Sequence, residues 1–270
     1  MQLFIDLIWG GIIGNLAQHF SEQAFTLEST TNIGTALGEF VLTFLIAWRM
    51  WKNLEDFMSK YHTNDLVERM FVIWILILAM LYGNNAPYIL SESPDQQSNI
   101  GIVIYIISKA SFSTIELAYS IHLPFQRRGI LVRLLVALPG VGLWVGAINV
   151  PYAAKAGLLA GAVMFDFTVA ALVEMPFFSR CFGAEGIKPF DADHWVERIQ
   201  DFFIIILGEA VLNLVRGSPL GRGLGASAGT GVLALTQFYF LSGLYFNGDQ
   251  SRTYIHAVKR SSWRKFVWFS

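Results

Sequence analysis

The chain has 270 residues, of which 54% are apolar and only 14% charged, against about 25% charged in an ordinary soluble domain. Nineteen basic and 20 acidic residues leave a net charge of -1, so no global field points to a nucleic-acid partner. A helix needs about 20 mostly apolar residues to cross the hydrocarbon core, so this length holds eight spans with short loops and excludes a separate soluble domain.

In chain order, apolar stretches fall at about residues 3–20, 33–52, 68–90, 100–123, 130–149, 153–177, 197–216 and 228–247. The expected fold is all-α, a polytopic transmembrane bundle over residues 1–250. Residues 251–270 form a basic, aromatic segment, expected to lie at the membrane interface or to begin a truncated ninth helix. The first run begins without a basic leader and reads as a span, not a signal peptide. Fifteen of the nineteen basic residues fall on alternate connections, within Arg49–Arg69, Arg127–Arg133, Arg180–Arg198 and Arg252–Lys265; Lys155, Arg216 and Arg222 lie on the others and Lys109 inside a span. Lys and Arg mark cytoplasmic loops, so both ends are expected to be cytoplasmic in a multi-pass protein of the lipid bilayer. Which membrane holds it is left open.

An internal repeat links Asn64–Met70, before the third span, to Asp193–Ile199, before the seventh. Both carry Val-Glu-Arg, and four spans separate them, which fits a parallel repeat. It also fits a pair of interfacial anchors.

Ionisable groups within spans cost at least about 2.5–3.5 kcal/mol each on insertion scales. Lys109, Ser113, Glu116 and Ser120 share one helical stripe. Lys109 and Glu116 are about 10 Å apart along the axis, so another helix must supply the partner of Lys109, with Asp166 or Glu209 expected. Glu209, Asn213 and Arg216 form a second stripe, where Gly208 is expected to admit a close neighbour. Glu39, Glu116 and Asn213 are expected to line a path centred on Lys109, Asp166 and Glu209. Asp6 and Asp201, near helix starts, read as caps or headgroup-level groups.

A P-loop, Gly-x-Ser-x-Gly, His-Glu-x-x-His and paired cysteines are all missing from the sequence, so neither an enzyme nor a cofactor or metal site is expected. Two functions fit the buried charges. One is a carrier or channel for protons, ions or small solutes; the other is a non-transporting scaffold or low-temperature adaptation factor.

Leu3-Phe4-Ile5-Asp6-Leu7-Ile8 resembles the Leu-Phe-Phe-Asp-Leu-Val opening of the low-temperature-requirement A family of membrane proteins. Thr63–Arg69, with Asp65, Glu68 and Arg69, resembles that family's Asp-Thr-Asp-Asp stretch and following Arg. His194, Glu197 and Arg198 match its His-Leu-Val-Glu-Arg, and Ile204–Glu209, including Gly208, resembles its Ile-Ile-Val-Leu-Gly-Glu-Ser. Ala210 replaces the final Ser, and the chain looks shortened at its C-terminus. The resemblance implies a polytopic membrane protein of undefined biochemical activity.

Overall fold

Hydrocarbon offers a peptide group no hydrogen bond, so a spanning segment must satisfy its backbone within itself. The computed structural model describes residues 2–25, 32–60, 66–90, 97–122, 124–174, 192–216 and 226–246, and these residues form helices joined by turns, with no strand among them. The helices are α1 (Gln2–Phe25), α2 (Ile33–Lys60), α3 (Leu66–Asn85), α4 (Gln97–His122), α5 (Pro124–Gly146), α6 (Tyr152–Glu174), α7 (Ala192–Arg216) and α8 (Ala226–Phe246), with a single 3₁₀ turn at Ala86–Tyr88. Each coincides with one expected apolar stretch, and α2 continues a further eight residues past its expected end. The segment 251–270, Asp65 and the glycine-rich stretch 220–225 lie outside the described residues.

Five helical segments are long and apolar enough to cross a bilayer: Ile33–Ser59, Leu66–Tyr88, Ser98–His122, Arg127–Gly146 and Tyr152–Val173. A shorter apolar stretch, Ala228–Leu244, lies in α8.

The chain divides into two compact units. One comprises residues 15–25 of α1 with α2 to α6; the other comprises residues 2–14 of α1 with α7 and α8.

In the first unit, side-chain contacts fix an up-and-down order. Asn32 opens α2, its Oδ1 accepting the Gly34 N–H at 2.9 Å, which satisfies one of the orphan donors of the first turn. Phe20 of α1 meets Phe40 of α2 at 5.5 Å between ring centroids, and the rings of Phe40, Phe44, Trp48 and Trp51 continue the ladder along α2. The spacing of three or four residues puts them on one face. The Tyr82 hydroxyl of α3 donates to the Thr43 carbonyl of α2 at 2.9 Å, while near the other ends of these helices Phe57 packs on Phe71 at 4.8 Å. Thus α2 and α3 are antiparallel. Asn85 and Ile89 meet Gly101 at the start of α4, and Phe71 meets Phe112 deeper in, so α3 and α4 are antiparallel too.

The α5–α6 connection turns sharply. Asn149 takes φ 61°, a left-handed conformation in which Asn is enriched, and its Oδ1 accepts from Asn99 Nδ2 at 2.7 Å. Pro151 then precedes α6 and its carbonyl receives the Lys155 N–H at 2.9 Å.

Several of the basic residues counted near the span ends lie on the helices themselves: Arg49 and Lys52 on α2, Arg133 on α5 and Arg198 on α7. Lys52 and Arg198 are buried, Arg49 sits 5.8 Å over the Phe167 ring, and Arg133 is ion-paired. Long basic side chains bury their stems on apolar neighbours, so these residues fit within the helices without full exposure.

Gly101 is a sharp test of the α3–α4 packing, because a Cβ there would stand 2.6 Å from Ile89 Cγ1. Gly101→Ala should lower the melting temperature in detergent, at the overpacking cost of about 1–3 kcal/mol, and adding Ile89→Ala should recover part of that loss. Equal melting temperatures for the wild type and Gly101→Ala would show that the helices do not approach this closely.

Candidate functional site

The first unit is organised around Asp166 of α6. Lys109, at the middle of α4, places its Nζ 2.5 Å from Asp166 Oδ1. The Tyr105 hydroxyl, one turn earlier on the same face of α4, donates to Asp166 Oδ2 at 3.0 Å. The Trp144 indole N–H of α5 donates to that same oxygen at 3.0 Å. The Tyr105 and Trp144 rings pack at 4.3 Å between centroids, which locks both donors. Gly140 lets α5 reach this point: a Cβ there would stand 2.8 Å from Phe165 and 3.0 Å from Asp166 Oδ1. Pro139, just before it, removes one helical donor in a position where membrane helices tolerate such a gap.

Asp166 is 6% exposed and the Lys109 side chain 16%. The sequence demanded a partner for Lys109 from another helix, and Asp166 fills that role. Glu209 belongs to the other unit.

The rest of the α4 stripe divides its contacts between two neighbours. Glu116 is ion-paired with Arg133 of α5 at 2.5 Å. Ser113 and Ser120 return their hydroxyls to the carbonyls of Lys109 and Leu117. At the opposite end of α4, Lys155 of α6 donates to Ser98 Oγ and Asn99 Oδ1, both at 3.0 Å. Glu39 of α2 accepts from the Tyr152 hydroxyl of α6 at 2.6 Å and from Gln23 Nε2 of α1 at 3.3 Å. Ser98/Lys155, Lys109/Asp166 and Glu39/Tyr152 together show α2, α4 and α6 running in one direction.

In the second unit, α1 and α7 meet along a parallel seam. Arg198 Nη2 donates to Asp6 Oδ1 at 2.9 Å, and Nη1 lies 2.8 Å from Oδ2 as an ion contact that is off-line for a hydrogen bond. The side chains are 0% and 2% exposed. A Cβ on Gly10 would stand 2.8 Å from Ile205, and one on Gly14 would stand 3.0 Å from Glu209 Cγ and Oε1. Asp6, Gly10 and Gly14 are spaced by four residues, so small residues line one face of α1 next to the ion pair. The Trp9 indole N–H beside them is buried and finds no hydrogen-bond partner among the described residues. Asn213 donates to Glu209 at 3.5 Å, at the outer limit of a hydrogen bond.

Three expectations are overturned here. Asp6 is no cap but half of a sealed ion pair, because its position one turn into α1 points it at α7. Gly208 is exposed, with nothing within 4 Å of a Cβ built on it among the described residues; Gly10 and Gly14 supply the close approach instead. Asp201 lies well inside α7, half-buried, and not at its start. The repeat also diverges in environment: Arg69 is exposed beside a buried Glu68, whereas Arg198 is buried. The side chains of His194 and Glu197 lie outside the described residues, although their backbone is helical.

Sequence reasoning missed Tyr105, Trp144, Tyr152, Arg133 and Lys155 as partners. Tyr105 sits one turn before Lys109, a spacing that flags it. Gly10-x-x-x-Gly14 is a small-residue motif legible in the sequence. Nothing local pointed to Trp144.

Removing one member of a buried pair leaves the other charge uncompensated, at a cost of about 3–5 kcal/mol, whereas replacing both with apolar side chains is often neutral. Asp6→Leu and Arg198→Met should therefore each lower thermal stability strongly, and the double variant should lie well above either single one. A double variant whose loss equals the sum of the two single losses would show that the groups are not coupled.

The family model of bacterial low temperature requirement A protein (LtrA) matches residues 1–270. No curated protein and no solved structure matches the chain. The motif residues Asp6 and Arg198, far apart in sequence, meet in one buried contact, and on the match over its full length the chain belongs to the low temperature requirement A family.

Proposed function

We propose that the chain is a multi-pass membrane protein of eight spans with cytoplasmic ends, and that it translocates a proton, an inorganic ion or a small solute by opening and closing the Lys109–Asp166 pair. The observation that carries this reading is the asymmetry of donors on Asp166. Lys109 contacts one carboxylate oxygen, while Tyr105 and Trp144 hold the other. When Lys109 swings away, two neutral donors still stabilise the carboxylate, because hydrogen bonds to the charged form favour it. A lysine on a flexible four-carbon stem is suited to that exchange. Ser113 and Glu116 continue the polar face of α4 beyond the pair, and Glu39 lies toward the other end of α2. Glu209 and Asn213 form a separate polar pair in the other unit. No catalytic chemistry and no cofactor enter this reading.

A scaffold role in low-temperature adaptation is the second reading. It is favoured by the pairing of three buried or half-buried carboxylates: Asp166, Glu116 and Asp6 each have a basic partner, as charges retained only for packing would.

The two readings separate in proteoliposomes. Under translocation, Lys109→Met and Asp166→Asn should each reduce proton or ion flux by more than about tenfold, as expected when a buried charge is removed from a path, while the protein still purifies as a folded species. Under the scaffold reading the wild type carries no flux, and the double variant Lys109→Met/Asp166→Leu matches or exceeds its thermal stability. Undiminished flux in both single variants would eliminate the Lys109–Asp166 pair as the moving part.

A further inference from the structure

Asp166 and Glu116 are each matched by a basic side chain, but among the described residues Glu39 is not. Its described partners are the Tyr152 phenol and the Gln23 amide, both neutral. A carboxylate within a membrane helix requires a countercharge, protonation or water. Glu39 is half-buried and lies on the wall of a small pocket with His19, Phe20, Gln23, Phe40 and Thr43, all from the first unit. The space available holds about one water-sized occupant.

The pocket walls favour a positive charge. Glu39 keeps acceptor capacity on both oxygens, since a carboxylate offers about four lone-pair sites and two are used among the described residues. Gln23 donates its amide N–H to Glu39, which leaves its carbonyl oxygen as an acceptor. Thr43 directs its hydroxyl proton to backbone carbonyls of its own helix, so its oxygen lone pairs remain available. The single carboxylate matches a single positive charge. Divalent calcium draws on six to eight oxygens and on several carboxylates, and among the described residues no cluster of three or more acidic or histidine side chains exists to provide them.

We propose that the Glu39 pocket binds one monovalent cation of about the size of a water molecule, potassium or ammonium, with Glu39 as the countercharge and Gln23 and Thr43 as neutral oxygen ligands. As a station on the ion path described above, the site rests on the translocation reading; its binding stands apart from flux and is measured without it.

The test is a thermal melt of the purified full chain in detergent, titrated with potassium chloride or ammonium chloride at constant ionic strength against N-methyl-D-glucamine chloride. A ligand of the folded state raises the melting temperature in a saturable way. The wild type should show a saturable rise with potassium or ammonium and none with calcium chloride. Glu39→Gln should abolish it, and Gln23→Leu, which leaves the charge in place, should shift the half-saturating concentration upward by severalfold. Lys109→Met should keep the rise. A response equal in wild type and Glu39→Gln would overturn the site. So would a wild type responding equally to glucamine, or responding only to lower pH. Should Glu39→Gln not fold, an unchanged titration in Gln23→Leu overturns it equally. Saturable, Glu39-dependent binding without flux would leave the site standing and sink the translocation reading alone.

Discussion

A charge placed in hydrocarbon must find its counterpart inside the protein, and the packing of the first unit follows from that demand at Asp166. The carboxylate draws Lys109 and Tyr105 from α4 and Trp144 from α5, so three helices are pinned at one side chain. Apolar contact alone does not single out this arrangement, since lipid tails are as apolar as leucine and compete equally for a helix face. Directional hydrogen bonds and an ion pair do. Gly140 on α5 then becomes necessary, because a side chain there would occupy the space that Phe165 and Asp166 fill. The neighbouring contacts extend the same logic along α4: Glu116 with Arg133 toward one end, Ser98 and Asn99 with Lys155 toward the other.

The helices were legible in the sequence because the bilayer imposes one length scale on apolar runs, and each of the eight stretches became a helix. The need for a partner to Lys109 was legible for a similar reason: helical geometry separates it from Glu116 by two turns, leaving no intrahelical solution. Which carboxylate answers it was not. Trp144 lies near the end of α5, where an aromatic residue reads as part of the interfacial belt, and only the approach of α5 to α6 brings its indole to Asp166. Asp6 failed for the converse reason. Its place near a helix start invited a capping role, whereas one further turn of helix sets it against α7.

Glycine shows where sequence position and environment part. Gly208 sits inside the most specific motif match, yet no described residue approaches its face. Gly10 and Gly14 carry no functional side chain and attract no notice as chemistry, yet Ile205 and Glu209 lie where their side chains would be. Small residues matter in a membrane helix through what approaches them, and that depends on the neighbour chosen by the ion pair one turn away, Asp6 with Arg198.

The two buried pairs answer the cost of charge in different ways, and on the translocation reading proposed above the difference bears on which pair would open. Arg198 presents a rigid planar fork to both oxygens of Asp6, and the pair is sealed at 0% and 2% exposure. A guanidinium held this way gives up two contacts and strands a fully desolvated carboxylate if it leaves, so the pair acts as a fixed staple between α1 and α7. Lys109 meets a single oxygen of Asp166, retains 16% exposure, and leaves behind a carboxylate still held by Tyr105 and Trp144. Its departure gives up one ion contact with Asp166 and its place 5.9 Å over the Tyr105 ring, and the vacated carboxylate keeps two donors. Of the two pairs, the lysine pair is therefore the one that the translocation reading takes as its moving part.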